Sequence, residues 1–511
     1  MKFLLIFFVT FYIVNRIFCA VPEDPQYWRK LTKKTLYYSK KFVHANEIKQ
    51  AKNAILFLGD GMGFPSISAA RLLKRQLTGN YGENLAFEKW DNVAVMKTYN
   101  IDFPVPDSAG TATAFCSGVK ANYGTIGVNG RVPFKSTDCS LMLENGAETI
   151  YEKALKSGKS VGFVTTASVT DATPAGTYAH ISSRHFESGL PFEDKRCKDI
   201  ARQLVEDHKG YQVMLGGGRK HFLPEGKESG GRKDGRNLFE QWQEDMKKQN
   251  KRYKFVSTRK ELLATDYNKI DYLFGSFSSS HMKFHKELKN DSSETEPTIT
   301  EMTEAAVKIL KKNKKGFLLL VEGAKIDKAH HLNQAYYSLN DLLAFENAIM
   351  KAQSILGNKE TLMIVTADHS HSFTHSGNAL FTEDVFGFSS YPDKEGKNFT
   401  NLIYSTGPGY NSSREFTKEQ IKQPDYKQLS AVPLDSATHG GDDVGAFGIG
   451  PGSNLLRGSQ EQTYVAHLME FSTCIGEYAN EPHCSGCKIL IFSKILILIV
   501  FISHLIRFSF D

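Results

Sequence analysis

Phe317-Leu-Leu-Leu-Val-Glu-Gly-Ala-Lys-Ile-Asp-Lys-Ala-His-His331 changes character partway along: an unbroken apolar run gives way, at Glu322, to acids, lysines and histidines. A continuous apolar run of strand length is the pattern of a strand buried on both faces. Asp327 and His331 then stand four apart. If Asp327 opens a helix, that spacing puts both side chains on one face, where they can grip one cation. His330 points about 100° away on the same geometry. The stretch reads as strand, loop, helix.

The same pattern recurs along the chain. Residues 54–58, 161–165 and 362–366 are further apolar runs, and residues 67–76, 150–157, 302–312 and 335–355 have helical character between them. Buried strands alternating with helices predict an α/β fold with a mostly parallel sheet covered on both faces. The residues just beyond each run matter most. Leu58-Gly59 leads to Asp60, Thr166 leads through a short loop to Asp171 and Thr173, Val321 leads to Glu322, and Ala367 leads to Asp368 and His369. Loops beyond the carboxyl ends of parallel strands form the ligand crevice of such sheets. One aspartate after a strand is commonly a turn residue or helix cap; deliveries from separate strands to one edge point to a site.

His439 lies in Ala437-Thr-His-Gly-Gly-Asp442, where the glycines permit close approach of backbone. Mixed carboxylate and imidazole ligands suit zinc, and an all-oxygen set of Asp, Thr and Glu suits magnesium. Ser108, in Pro106-Asp-Ser-Ala-Gly-Thr-Ala-Thr-Ala-Phe115, is expected at or near a helix N-cap, where free N–H groups favour a phosphate. No Gly-x-Ser-x-Gly elbow occurs, so activation of Ser108 would fall to a metal. Arg184, in Ser182-Ser-Arg-His185, has a planar fork able to hold two phosphate oxygens.

Bulk properties set limits. The 511 residues are 41% hydrophobic and 23% charged, an ordinary globular composition. Much of the net charge of +7 sits in lysine clusters such as Lys311, Lys312, Lys314 and Lys315, read as solvated faces flanking helices, or close to the terminal apolar segments. No basic stripe with interleaved aromatics marks a nucleic-acid surface. Residues 1–20 read as a secretory signal peptide, and the apolar segment within 486–511, preceded by Ser485, Gly486 and Cys487, as a lipid-anchor signal with a transmembrane helix as the alternative. Either places the body, residues 21–485, outside the cell at the membrane. Six cysteines remain after the signal, allowing 15 pairings, and sequons stand at Asn290, Asn398 and Asn411. Residues 377–435, rich in Gly, Ser, Tyr, Pro and Asn, read as a surface insertion.

From about residue 52 to 474 the motifs Phe57-Leu-Gly-Asp60-Gly-Met-Gly63, Val105-Pro-Asp-Ser108-Ala-Gly-Thr-Ala-Thr113, Asp171-Ala-Thr173, Val321-Glu322-Gly-Ala-Lys-Ile-Asp327, Thr366-Ala-Asp368-His369-Ser-His371 and Thr438-His439-Gly-Gly-Asp-Asp443 resemble, in their joint order, the alkaline phosphatase family. The resemblance implies a three-layer α/β/α sandwich with a crown-like insertion, and hydrolysis of phosphate monoesters through a phosphoserine on Ser108. It implies two zinc ions, one held by Asp327, His331 and His439 and the other by Asp60, Asp368 and His369, with Ser108 between them. Magnesium would take Asp60, Thr173 and Glu322; Arg184 would bind phosphate; Asp171, Lys328 and His371 would support the ligands. It also implies a homodimer, a Cys139–Cys197 disulfide and a second between Cys474 and Cys484, with Cys116 free.

Asp171 and Lys328 match the bacterial enzymes, whereas the mammalian ones carry histidines there, so metal preference and pH optimum are expected to depart from the mammalian pattern. Ser278 replaces a glutamate of the mammalian calcium site and the loop near Glu225 is short, so calcium is not assigned. Asn378 replaces the tyrosine that crosses the mammalian dimer. Two other functions compete with this one. A sulfatase-type hydrolase needs a Cys/Ser-x-Pro-x-Arg setting, which Ser108-Ala-Gly-Thr-Ala lacks, and a catalytically silent binding protein on this fold would be expected to have lost ligands.

Overall fold

In the computed structural model the described residues are 23–44, 47–288 and 295–484. The signal segment, the anchor segment, Asn290 and Cys487 lie outside them.

Eight strands come first: β1 (Asn53–Gly59), β2 (Asn92–Lys97), β3 (Ser160–Ser168), β4 (Val213–Gly217), β5 (Tyr253–Val256), β6 (Tyr272–Ser276), β7 (Phe317–Gly323) and β8 (Thr361–Thr366). Five short ones come next: β9 (Ser370–His371), β10 (Phe373–His375), β11 (Leu402–Gly407), β12 (Ser430–Pro433) and β13 (His439–Gly440). The last are β14 (Val444–Ile449) and β15 (Gly458–Glu461). Ten of them form one sheet in the order β15-β2-β14-β8-β1-β7-β3-β4-β6-β5. Only β14 runs against its neighbours, β2 and β8.

Every residue of β1, β3, β7 and β8 is buried. That is why these segments carry apolar residues without alternation: helices cover both faces. The helices Ile299–Leu310 and Ala335–Leu356 pack on each other and on the sheet, while Ser108–Ser117, Ile150–Lys156 and Thr463–Thr473 form a second packed group. The sequence reading of α/β architecture and of these strands holds.

Register positions the chemistry. Gly59 at the end of β1 lies opposite Gly323 in β7, Leu58 lies between Glu322 and Thr366, and Thr165 of β3 lies opposite Glu322. The carboxyl ends of all four strands are therefore level, and the residues just beyond them meet at one edge. The antiparallel pair β9 and β13 sets His371 directly opposite His439.

Within residues 377–435 the chain is largely loop, with β11 pairing antiparallel to β10 and parallel to β12. Cys139–Cys197 and Cys474–Cys484 are disulfides and Cys116 is a buried free thiol, as the family resemblance implied. Among the described residues no helix is long and apolar enough to cross a membrane.

Candidate active site

Ser108 is the first residue of the buried helix Ser108–Ser117, and the cap is Asp107 rather than Ser108 itself. Asp107 accepts from the N–H groups of Ala109 (3.2 Å) and Gly110 (3.1 Å), and Asn100 Nδ2 donates to it at 2.9 Å. With the cap supplied next door, the Ser108 hydroxyl is free of that duty. Its Oγ lies 3.3 Å from His369 Nε2.

Around that hydroxyl the strand-end residues converge. His369 Nε2 is 3.1 Å from Asp368 Oδ2 and 3.5 Å from Asp60 Oδ1. Asp327 and His331 share a face of the helix Lys325–His331, with His331 Nε2 3.3 Å from Asp327 Oδ2. His439 Nε2 stands 3.5 Å from Asp327 Oδ1, and His371 Nε2 lies 3.3 Å from the same oxygen. Gly61 allows β1 to approach this closely: its φ is +68°, and a Cβ there would meet Asp327 Cβ at 3.2 Å.

The imidazoles are aimed. His369 Nδ1 faces the Ser370 carbonyl at 3.0 Å, His439 Nδ1 the Pro106 carbonyl at 2.8 Å, and His331 Nδ1 the Ala437 carbonyl at 2.7 Å. A carbonyl only accepts, so each Nδ1 carries a proton, and in the neutral ring Nε2 is then the lone-pair bearer. Yet His439 Nε2 and His331 Nε2 are 3.2 Å apart, and the His369 and His439 rings stack at 3.6 Å between centroids. Lone pairs pointed at one another repel unless a cation lies between them.

The oxygens say the same. Asp60 Oδ1, Asp327 Oδ1, Asp368 Oδ2 and Thr173 Oγ1 are buried without a hydrogen-bond partner. Unpaired buried polar atoms are costly, and those of Asp60, Asp327 and Asp368, close enough to raise one another's pKa, call for a ligand. Burial, reinforced by the charges of Asp327 and Asp368, pushes the Asp60 carboxyl well above its usual range. Burial likewise raises Glu322 to about 8, although Thr165 donates to it. The donor set of carboxylates, a hydroxyl and imidazoles fits divalent cations. His330 is excluded from that set. Its ring nitrogens are occupied by Ser66 Oγ (2.8 Å), Ser338 Oγ (2.9 Å) and Tyr404 Oη (2.8 Å).

Arg184 closes one side. Its Nη1 reaches Asp107 Oδ2 at 3.2 Å and its Nη2 reaches Asp171 Oδ1 at 3.1 Å, so the guanidinium is spread between two carboxylates. Lys328 Nζ approaches Asp171 Oδ2 at 3.4 Å. Burial works against the Asp171 charge, but Lys328 and Arg184 outweigh it and hold the carboxyl far below the usual range.

Asp60, Asp327, His331, Asp368, His369 and His439 are thus close together beside Ser108, with His371 nearer their centre than a supporting residue needs to be: it belongs to the same tight group as Asp327, His331 and His439. Sequence reasoning missed Asp107 as the residue that both caps the helix and orients Arg184, although an aspartate before a helix start is a readable cap signal. It also missed His281, whose Nδ1 lies 3.8 Å from Asp171 Oδ2 and whose loop gives no motif.

Comparison with known proteins agrees with this geometry. A family model described as alkaline phosphatase matches residues 51–475. The chain is 42% identical to the tissue-nonspecific alkaline phosphatase isozyme of Rattus norvegicus over 490 residues, covering 91% of this chain and 92% of that one. It is 40% identical to the human tissue-nonspecific isozyme, covering 93% of each, and 40% identical to an alkaline phosphatase of Gadus morhua, covering 89% of this chain and 98% of the relative. Among solved structures, the alkaline phosphatases of the Antarctic bacterium TAB5 (TM-score 0.60, 22% identity, 84% of this chain and 100% of that) and Thermus thermophilus (TM-score 0.61, 23%, 83% and 92%) share the fold.

Proposed function

The chain belongs to the alkaline phosphatase family and hydrolyses phosphate monoesters, and we propose that it does so by double displacement through a phosphoserine on Ser108. The observation that carries this reading is the Ser108 hydroxyl at the mouth of two converging ligand sets, 3.3 Å from His369 Nε2. One set is Asp327, His331 and His439; the other is Asp60, Asp368 and His369; both fit zinc, and Asp60, Thr173 and Glu322 fit a magnesium ion. When bound, these cations supply positive charge that lowers the pKa of coordinated hydroxyls and neutralises charge developing on oxygen.

The chain's own residues do the rest. Arg184, pre-set by Asp107 and Asp171, holds two phosphoryl oxygens with parallel hydrogen bonds and keeps the phosphorus in line with Ser108 Oγ. Ser108 Oγ gives up its proton to solvent and attacks, the Oγ–P bond forms, and the ester P–O bond breaks with the alcohol oxygen leaving on the opposite side and taking a proton from solvent. A water entering from the vacated side then attacks the phosphoserine, breaking Oγ–P and releasing phosphate. Two in-line displacements predict net retention of configuration at phosphorus. Lys328 and Asp171 form an ion pair beside the clamp, where the mammalian enzymes carry histidines.

The same reading assigns residues 1–20 to a signal peptide, residues 21–485 to the catalytic body with its insertion at 377–435, and residues 486–511 to a membrane-anchor signal, which makes the protein extracellular and membrane-attached; the family resemblance adds a homodimer. Asn398 is exposed and open to glycosylation, whereas Asn411 is half-buried with its Oδ1 engaged by Ser413 and Arg414.

Arg184→Ala tests the clamp. Losing hydrogen bonds to a charged phosphoryl group, about 1.5–3 kcal/mol, should lower kcat/KM roughly 10- to 100-fold and weaken inhibition by inorganic phosphate in parallel. Unchanged phosphate inhibition in a folded variant would remove Arg184 from the reading.

A further inference from the structure

The loops that carry Arg184 and Asp171 meet twice. The first meeting is the ion pair itself, with Arg184 Nη2 at 3.1 Å from Asp171 Oδ1. The second lies just behind it. One residue before Asp171, the Thr170 hydroxyl donates to Glu187 Oε2 at 2.6 Å, and Glu187 stands three residues after Arg184. The same two loops are therefore joined by two rungs, 184 to 171 and 187 to 170. Thr170 follows β3 and is fully buried, and the Asp171 N–H donates to the Ser168 carbonyl at 2.9 Å, so the β3 side is fixed.

The other side is not built on a strand. Residues 182–189 form neither helix nor strand. The Arg184 N–H donates to the Gly124 carbonyl at 2.9 Å, and the Gly189 N–H to Asp199 Oδ2 at 3.0 Å. The carbonyls of Phe186 and Glu187 accept from Ile200 (2.9 Å) and Ala201 (3.1 Å). These bonds tie the loop to its neighbours on the far side. Among the described residues, only the Glu187 carboxyl, besides the ion pair, bonds it to residues 169–171.

An apolar residue at 187 could fill the same space without setting a distance, whereas a short hydrogen bond sets distance and direction together. Burial and the charge of Asp171 raise the Glu187 carboxyl to about 7, so at alkaline pH it is ionised and its bond to Thr170 is charge-assisted. His221 Nε2 lies 3.1 Å from the same carboxyl oxygen, while its Nδ1 is turned to Ser188 Oγ at 3.1 Å.

We infer that Glu187 is a positioning residue for the phosphate clamp: held on Thr170, it sets where the Arg184 guanidinium stands relative to Ser108. It acts through the Arg184 loop and touches no reacting atom. With the loop held at a fixed distance from Asp171, the fork is aimed before phosphate arrives, and little ordering remains for binding to impose. The inference rests on the reading of Arg184 as the clamp.

The test is a double-mutant cycle on the metal-loaded enzyme at alkaline pH, read as kcat/KM and as the inhibition constant of inorganic phosphate. Glu187→Ala should lower kcat/KM and weaken phosphate inhibition by the same factor, roughly 5- to 20-fold. Thr170→Val, which removes the donor alone, should match it. Glu187→Gln, whose amide oxygen still accepts from Thr170, should stay within about 3-fold of the native enzyme. In an Arg184→Ala background, Glu187→Ala should change neither quantity, because no clamp is left to position. A native-like Glu187→Ala, a glutamine variant as weak as the alanine one, or an undiminished effect without Arg184 overturns the inference while leaving the clamp intact. Native phosphate inhibition in Arg184→Ala removes the clamp itself, and the inference falls with it.

Discussion

Ser108→Ala is expected to reduce kcat for phosphate monoesters at least about 10³-fold, equivalent to roughly 4 kcal/mol, while leaving the fold in place. The large effect comes from covalent chemistry: without Oγ there is no atom to receive the phosphoryl group, and direct attack by water must start from a geometry shaped for the serine. The small structural effect comes from the division of labour at the helix start. Asp107, not Ser108, caps the helix and orients Arg184, and the hydroxyl's hydrogen-bond contact is with His369. Melting temperature should therefore move by no more than about 2 °C, as for removal of one modest hydrogen bond. Labelling with radioactive phosphate and acid quenching should mark Ser108 in the native protein and nothing in the variant. A variant that keeps a tenth of native turnover would contradict the phosphoserine route.

Removal of divalent cations by a chelator should be as damaging to activity, and it should also destabilise the protein. Asp60, Asp327, Asp368 and Glu322 are all buried within one cluster, and three of them present unpaired oxygens. Stripped of cations, that cluster crowds carboxyl groups in a medium that solvates charge poorly, so that some must take up protons and the rest stay charged at a cost. The opposed Nε2 lone pairs of His331 and His439 add to the strain. Ions present at a thousand times their Kd contribute about 4 kcal/mol each, so chelation should lower the melting temperature by roughly 5–10 °C. Zinc with magnesium should restore both activity and stability, and magnesium alone should restore neither fully, because imidazole ligands suit zinc and not magnesium. Activity that survives exhaustive chelation would show that the cluster has another purpose.

Much of the fold was legible because burial on both faces leaves a strong mark. The continuous apolar runs at residues 54–58, 161–165, 317–321 and 362–366 fall inside β1, β3, β7 and β8, and the polar residues just after them fall at the shared edge. The reversed direction of β14 left no comparable mark, since an apolar strand reads alike in both directions. Nor did the aim of the imidazoles: the carbonyls that fix His331, His369 and His439 belong to Ala437, Ser370 and Pro106, and backbone groups carry no sequence signal. Ser108 was placed at the helix start, but the cap fell to Asp107, because two adjacent capping residues compete and the backbone chooses.

Whether the chain cages a metal pair beside one hydroxyl is decided by anomalous X-ray diffraction at the zinc edge. Crystals of the zinc-loaded protein should show two peaks about 4 Å apart, one among Asp327, His331 and His439 and one among Asp60, Asp368 and His369, with Ser108 Oγ between them. A single peak, or peaks remote from Ser108, would contradict it.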